Sequence, residues 1–308
     1  MSVHLDPRRP ASDEVHRAGV AHLTKAIEAL TAASDESALG EAVHVARKQL
    51  KRTRALLRLV RASFDGETYR EEMALCRDVG RQFSAPRDAH VLVQTARTIL
   101  DEAADPPRAS VEPIVEELEA RRDRIWRALS SEDAEFTAAL GTLDGLAQRA
   151  EVWRFNDLDW AKMALGLSAS YRKGRRAFRA AGRDGDPQMF HETRKRTKDL
   201  WYQFELVRDA WKPVLKGAAK GAEGVADLLG QIQDLEVLRS TILTHPLMEA
   251  NPDGADLFVH EIERRLRRQR ADALVAGAPL FAEKPGAFEA RILAYVGPAD
   301  VDPTLAVA

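Results

Sequence analysis

"HVARKQLKRTRALLRLVR", residues 44–61, decides how this chain is read. Its period is helical, and its best-ordered stripe is cationic: His44, Arg47, Lys48, Lys51, Arg54 and Arg58 fall at i, i+3, i+4 and i+7 steps. Spacing of that kind more often marks an apolar face turned to a core. That face is also present, in Val43, Ala46, Leu50, Leu57 and Val60, on another side of the same helix. The stretch reads as a helix with one core face and one cationic face.

A second copy gives the reading its weight. "HETRKRTKDLWYQFELVR", residues 191–208, aligns without a gap at an offset of 147 (191 − 44). His44, Arg47, Lys48, Lys51 and Arg61 recur as His191, Arg194, Lys195, Lys198 and Arg208. Phe190, Leu200, Phe204 and Val207 form its apolar side, with Thr193 and Thr197 between them. Downstream, "RDAHVL" at 87–92 is echoed by "QDLEVL" at 233–238, pairing Asp88 with Asp234. The chain therefore reads as two duplicated helical units. A charged helix standing alone is usually a solvated surface. Solvation gives no reason for both copies to hold a histidine and the same three cations in one register.

The rest of the sequence agrees with an all-α fold. Hydrophobic residues are 45% and charged residues 31% of 308, as in a soluble globular protein. Aromatics are 6%, while Ala, Leu, Arg and Glu, all good helix formers, dominate. "GRDGDP" at 182–187 sets Asp186 as an N-cap with Pro187 in the first helical position. Ser110, Asp88 and Asp234 are read as further N-caps. Short connections between these helices favour bundles. The division falls near residue 150, into halves over 11–150 and 151–296.

Charge is segregated although the formal net value is only −2. Residues 44–61 hold seven Lys/Arg and no acid, and residues 171–183 hold six and no acid. Within the latter, Arg172, Arg175, Arg176 and Arg179 form another cationic stripe. Such surfaces attract anions whatever the net charge. Cys76 is alone, so neither a disulfide framework nor a cysteine metal cluster is expected. No segment approaches membrane-spanning length and no signal peptide is recognisable, so a cytoplasmic location is expected.

The paired H-x-x-R-K-x-x-K helices, "RDAHVL", "LLGQIQDLEVL" at 228–238 and "APLFAEKPGAF" at 278–288 together resemble the conserved histidine α-helical domain family, CHAD. The resemblance runs over about residues 11–296. It implies two helical bundles, duplicated four-helix-type units related by a pseudo-twofold axis and forming one domain. It also implies a basic groove or pore that binds inorganic polyphosphate, with an association with polyphosphate granules. Carried over residue by residue, the site is His44, Arg47, Lys48 and Lys51 with His191, Arg194, Lys195 and Lys198. Arg54, Arg58, Arg172, Arg175 and Arg176 extend it as further cations. The second copy departs from the first at Asp199, opposite Arg52, and at Glu205, opposite Arg58, so its stripe is shorter.

These residue types suit a polyanion without bases. Arg offers forked donors to phosphate oxygens and Lys a compact charge. The histidines serve as phosphate donors or as satisfied helix residues. Metal ligation is disfavoured, since Arg and Lys stand at i+3 and i+4 of each. Crowded cations should depress a histidine pKa and a bound phosphate should restore it. Three functions compete: polyphosphate binding without catalysis, binding of a nucleic-acid backbone, and metal-dependent hydrolysis of triphosphate or polyphosphate. The stripes interleave few aromatics for base stacking. No P-loop or clustered carboxylate motif is present for hydrolysis, and "EIERR" at 261–265 is a poor match to an E-x-E-x-K motif. No cofactor is called for.

Overall fold

A computed structural model of the chain describes residues 3–33, 36–102, 107–128, 134–244 and 251–296. Among these it is all-α: eleven helices and two short 3₁₀ turns, with no strand. The order is α1 (Ala11–Thr31), α2 (Glu36–Leu59), a 3₁₀ turn (Arg61–Ser63), α3 (Gly66–Gln82), α4 (Ser84–Asp101), α5 (Pro107–Ala128) and α6 (Ala134–Glu151). Then follow α7 (Trp160–Asp184), α8 (Pro187–Val207), a second 3₁₀ turn (Arg208–Ala210), α9 (Lys212–Thr244), α10 (Pro252–Leu280) and α11 (Pro285–Val296). The two 3₁₀ turns fall at the same 147-residue offset as the basic helices.

Local chemistry sets many of the ends. The Asp65 carboxylate accepts the amides of Glu67 and Thr68, and the Asp159 carboxylate that of Lys162. Asp186 accepts the amide of Gln188 with Pro187 behind it, as the sequence predicts. Gly185, at φ 64°, closes α7 in the left-handed region that glycine tolerates best. Three other expected caps are not caps. Ser110 lies inside the first turns of α5, where its carbonyl accepts Asn251 Nδ2 at 2.7 Å. Asp88 lies within α4, and Asp234 lies in the middle of α9, which runs on without a break. In both helices the neighbouring residues stay helical, and each carboxylate points from a helix side rather than an end.

Two apolar cores form, and each draws on both sides of residue 150. One is built from α1, α2, α3 and α6 with α7, α8 and α11, through residues such as Leu57, Phe83, Trp153, Tyr171, Phe204 and Phe288. The other joins α4 and α5 to α9 and α10, through Ile99, Val115, Leu229, Phe258 and Ile262. Val43, Ala46, Leu50 and Leu57 of α2 and Val60 just after it are buried, as are Phe190, Leu200, Phe204 and Val207 of α8. Between the latter, Thr193 and Thr197 are fully buried and return their hydroxyls to the carbonyls of Met189 and Thr193. Trp126, Trp153 and Trp201 join the cores, while Trp211 is 46% exposed and meets Tyr295 of α11 edge-on.

α2 and α8 cross in direct contact. Gln203, fully buried, donates to the carbonyl of Ala55 at 3.0 Å, and Arg58 meets Asp199 at 3.0 Å. The segment before α1 clasps the end of α8, with Leu5 N–H donating to the carbonyl of Leu206 and His4 Nδ1 to that of Glu205. These bonds satisfy carbonyls that a helix C-terminus leaves without partners. α7 lies close against the end of α2 because Gly166 has no side chain: a Cβ there would stand 1.8 Å from the Leu59 carbonyl oxygen. Gly166→Ala should therefore push the two helices apart and cost about 2 kcal/mol or more. Gly145→Ala in α6, where a Cβ meets nothing within 4 Å, should instead be neutral or stabilising by about 0.5–1 kcal/mol. Urea denaturation midpoints of the two variants check the contrast.

Candidate functional site

The cationic face of α2 and that of α8 open into one cavity of about 750 Å³. His44, Arg47, Lys48 and Lys51 line it from α2, and His191, Arg194 and Lys198 from α8. α4 adds Arg87 and Asp88, and α9 adds Asp227, Gln231, Gln233 and Asp234. Trp201 and Tyr202, almost buried, supply part of the apolar lining. Six Lys/Arg thus face three Asp across a shared space, so the cavity is positive before either histidine is counted.

The side chains differ in how firmly they are held. Arg47 donates to the Gly80 carbonyl at 2.8 Å and lies 3.7 Å from Asp88, which ties it to the wall. The Nε of Arg194 is buried and has no hydrogen-bond partner among the described residues. His191 Nδ1 donates to Gln233 Oε1, which fixes the ring against α9. Among the described residues, His44 has no such glutamine. Burial, then the Arg87 charge, pushes its pKa below the ordinary histidine value, with Glu41 opposing. The expected depression is therefore found at His44, with burial its larger cause.

The larger shifts fall on the lysines. Burial, reinforced by Lys198, Arg47 and Arg194, brings Lys51 down to about 7. Burial and Arg194 bring Lys198 down to about 8, with Asp227 and Asp234 opposing. Asp234 is itself pushed up by burial, against the pull of Arg194, Lys198 and Arg87. Burial also raises the Tyr202 hydroxyl to about 12, so that group stays protonated as a donor at neutral pH.

The remaining sequence-predicted cations lie elsewhere. Lys195 is half exposed and paired with Glu192 at 2.5 Å. Arg58 is taken by Asp199, and Arg54 does not line the cavity. On α7, Arg172 meets Glu289 at 3.2 Å and Arg175 donates to the Phe281 carbonyl at 3.0 Å. Arg176 is exposed outside the cavity. The sequence reading missed the polar stripe of α9 as a wall. Its signal was the spacing of Asp227, Gly230, Gln231 and Asp234 at i, i+3, i+4 and i+7, obscured by its mixed chemistry. Among the described residues, no group of three or more His, Cys, Asp or Glu is placed to hold a metal ion. No described helix is long and apolar enough to cross a membrane.

Fold and site together define an all-helical domain built around a cationic cavity with a histidine on each of two repeated helices. The chain belongs to the CHAD domain family, whose model matches residues 20–243. Polyphosphate binding is a known property of that family. No curated protein sequence matches the chain. Among solved structures it is similar to the CHAD domain from the plant Ricinus communis, with a TM-score of 0.60 and 19% identity, over 96% of this chain and 94% of that one. It is also similar to PptA from Streptomyces chartreusis, with a TM-score of 0.60 and 13% identity, over 89% of this chain and 100% of that one.

A titration of the lysine side chains by NMR should find Lys51 near 7 and Lys198 near 8, well below the exposed lysines. Ordinary values above 10 for both would show that the cavity does not desolvate its cations.

Proposed function

We propose that the cavity binds inorganic polyphosphate through the paired faces of α2 and α8, without catalysing a reaction on it. The observation that carries this is the convergence of His44, Arg47, Lys48 and Lys51 with His191, Arg194 and Lys198 in one cavity. These two sets are far apart in sequence and share a register. Within this reading the two halves of the chain are duplicated helical units about a pseudo-twofold axis, each supplying one basic wall, with both apolar cores shared between them. The cations outside the cavity, Lys195, Arg54, Arg58, Arg172, Arg175 and Arg176, are secondary contacts at most. Association with polyphosphate granules follows as a consequence of binding.

The chemistry matches a chain of phosphates. Arg47 and Arg194 supply guanidinium donors of the forked kind that suits phosphate oxygens. Lys48, Lys51 and Lys198 add point charges at helical intervals of 1.5 Å rise per residue. A bound polyanion offsets the repulsion among them. The donor set supports holding rather than hydrolysis, since it supplies positive charge and no nucleophile paired with a base. Single-stranded nucleic acid is the weaker reading: Trp201 and Tyr202, at 9% and 4% exposure, have no free face for stacking a base. A duplex backbone is the alternative that competition must separate from polyphosphate.

Two measurements test the proposal. Titration with long-chain polyphosphate should give saturable binding that weakens steeply with salt. Arg47→Glu/Lys48→Glu and Arg194→Glu/Lys198→Glu should each lower the affinity by about tenfold or more and flatten the salt slope by roughly 1.4, two contacts' worth for a flexible strand. Lys195→Glu should do less. Unchanged affinity in both double variants, or DNA competing as well as polyphosphate at physiological salt, would remove the proposal.

The second is proton uptake. Both lysines are disfavoured as cations in the free protein, so a bound anion must raise their pKa values. Binding is then strongest below about pH 7, where both already carry the proton. It weakens as the pH rises past about 7 through Lys51, and past about 8 through Lys198 as well, up to the raised values of the complex. Calorimetry at pH 8 in buffers of different ionisation enthalpy should register net uptake of protons; zero uptake would rule out the lysines as ligands.

A further inference from the structure

A second cavity, of about 570 Å³, opens where α2, the first 3₁₀ turn, α3, α7 and α8 meet. It shares no lining residue with the first. One wall is cationic, with Arg58, Arg61, Lys173 and Arg196. The acid in the lining, Asp199, is nearly buried and already engaged: Arg58 lies 3.0 Å and Arg196 3.8 Å from it, and Arg196 also meets Glu192 at 2.6 Å. Arg61 and Lys173 are left over. Neither forms an ion pair among the described residues; the Arg61 guanidinium lies 5.1 Å over the Tyr69 ring instead. Partial desolvation, followed by the charges of Arg196, Arg61 and Arg58, lowers the basicity of Lys173, which still reaches the surface. This wall holds positive charge that the protein itself does not neutralise.

The other wall is apolar. Tyr69 and Met73 of α3 face the cavity together with Leu165 of α7, which is 43% exposed. Leu165, Met73 and Tyr69 thus share one cavity with cations that no acid pairs among the described residues. That also distinguishes this cavity from the first. A bare phosphate chain has nothing to set against Leu165 and Met73, whereas a ligand with an organic body does. We propose that this second cavity binds an organic phosphate with a flat apolar body, of the nucleotide type. The body packs on Tyr69, Met73 and Leu165, and the phosphates meet Arg61 and Lys173. This inference stands apart from the polyphosphate proposal, which rests on the other cavity, and either can fail alone.

The test uses the full chain with trinitrophenyl-ATP as a fluorescent probe, displaced by ATP or by inorganic tripolyphosphate. Saturable binding is expected, with ATP displacing the probe at about a tenfold lower concentration than tripolyphosphate. Lys173→Glu and Leu165→Asp should each weaken the probe by about tenfold, while Arg194→Glu/Lys198→Glu leaves it within about twofold. Lys173 and Leu165 are both exposed, so unchanged thermal melting is expected and separates lost binding from lost folding. If Leu165→Asp melts early, Leu165→Ala replaces it. Absence of saturable binding, equal displacement by tripolyphosphate, or sensitivity to the Arg194/Lys198 change but not to Lys173→Glu would each overturn the inference.

Discussion

Like charges held facing one another across α2 and α8 are the constraint around which this molecule is organised. Lys51 feels Lys198 and Arg194 from the opposite helix, and Lys198 feels Lys48 in return. Left free, those helices would separate. They are held by what lies behind the charges: two buried apolar faces, two buried threonines bonded back into α8, and the Gln203 contact to the Ala55 carbonyl at the crossing. Gly166 lets α7 seat against the end of α2 with no side chain between. The cores stabilise a geometry that electrostatics opposes, and a ligand of opposite charge removes the opposition. Marginal net stability makes that exchange significant, since a few kcal/mol is a large part of any fold's total.

The places where the two copies differ set the limits of the cavity. The α2 stripe runs on in sequence through Arg54 and Arg58, but Asp199 stands where the first copy has Arg52, and it captures Arg58. A cationic face that is continuous on a helical wheel is thereby cut, with the first cavity on one side of the cut and the second on the other. The histidines diverge in the same way. Gln233 orients His191, whereas the residue aligned with it in the first half, Arg87, presents His44 with a charge. Duplication supplies the two walls; single substitutions decide how far each extends.

Much of this was legible in the sequence because the strongest signals were periodic. The α2 and α8 faces, the Asp186–Pro187 start and the all-helical class rest on spacing and on φ preferences that the fold does not override. Caps at Ser110, Asp88 and Asp234 failed because an acid or hydroxyl within a helix has the same letter as one at its end. Only the neighbours' conformation separates the two. Lys195 shows a subtler loss. Its counterpart Lys48 follows Val45 at i−3, whereas Lys195 follows Glu192 at i−3 and is drawn out of the cavity by it. That difference was printed in the sequence, but register alone gave the two lysines one role.

The cavity cannot be credited to either half of the chain. Every residue that lines it falls between His44 and Val237, inside the span matched by the family model. Yet α10, α11 and the connection between them, which lie beyond that span, bury Phe258, Ile262, Phe281 and Phe288 against helices that carry the walls. α9 brings its polar stripe to the cavity with α10 packed behind it, and α7 supports α8 with α11 packed behind it. Desolvation of Lys51 and Lys198, and with it the depressed basicity of the site, depends on how closely these layers hold the walls together. The chemistry is local to two short motifs, while the pKa values that tune it are a property of the whole helical stack.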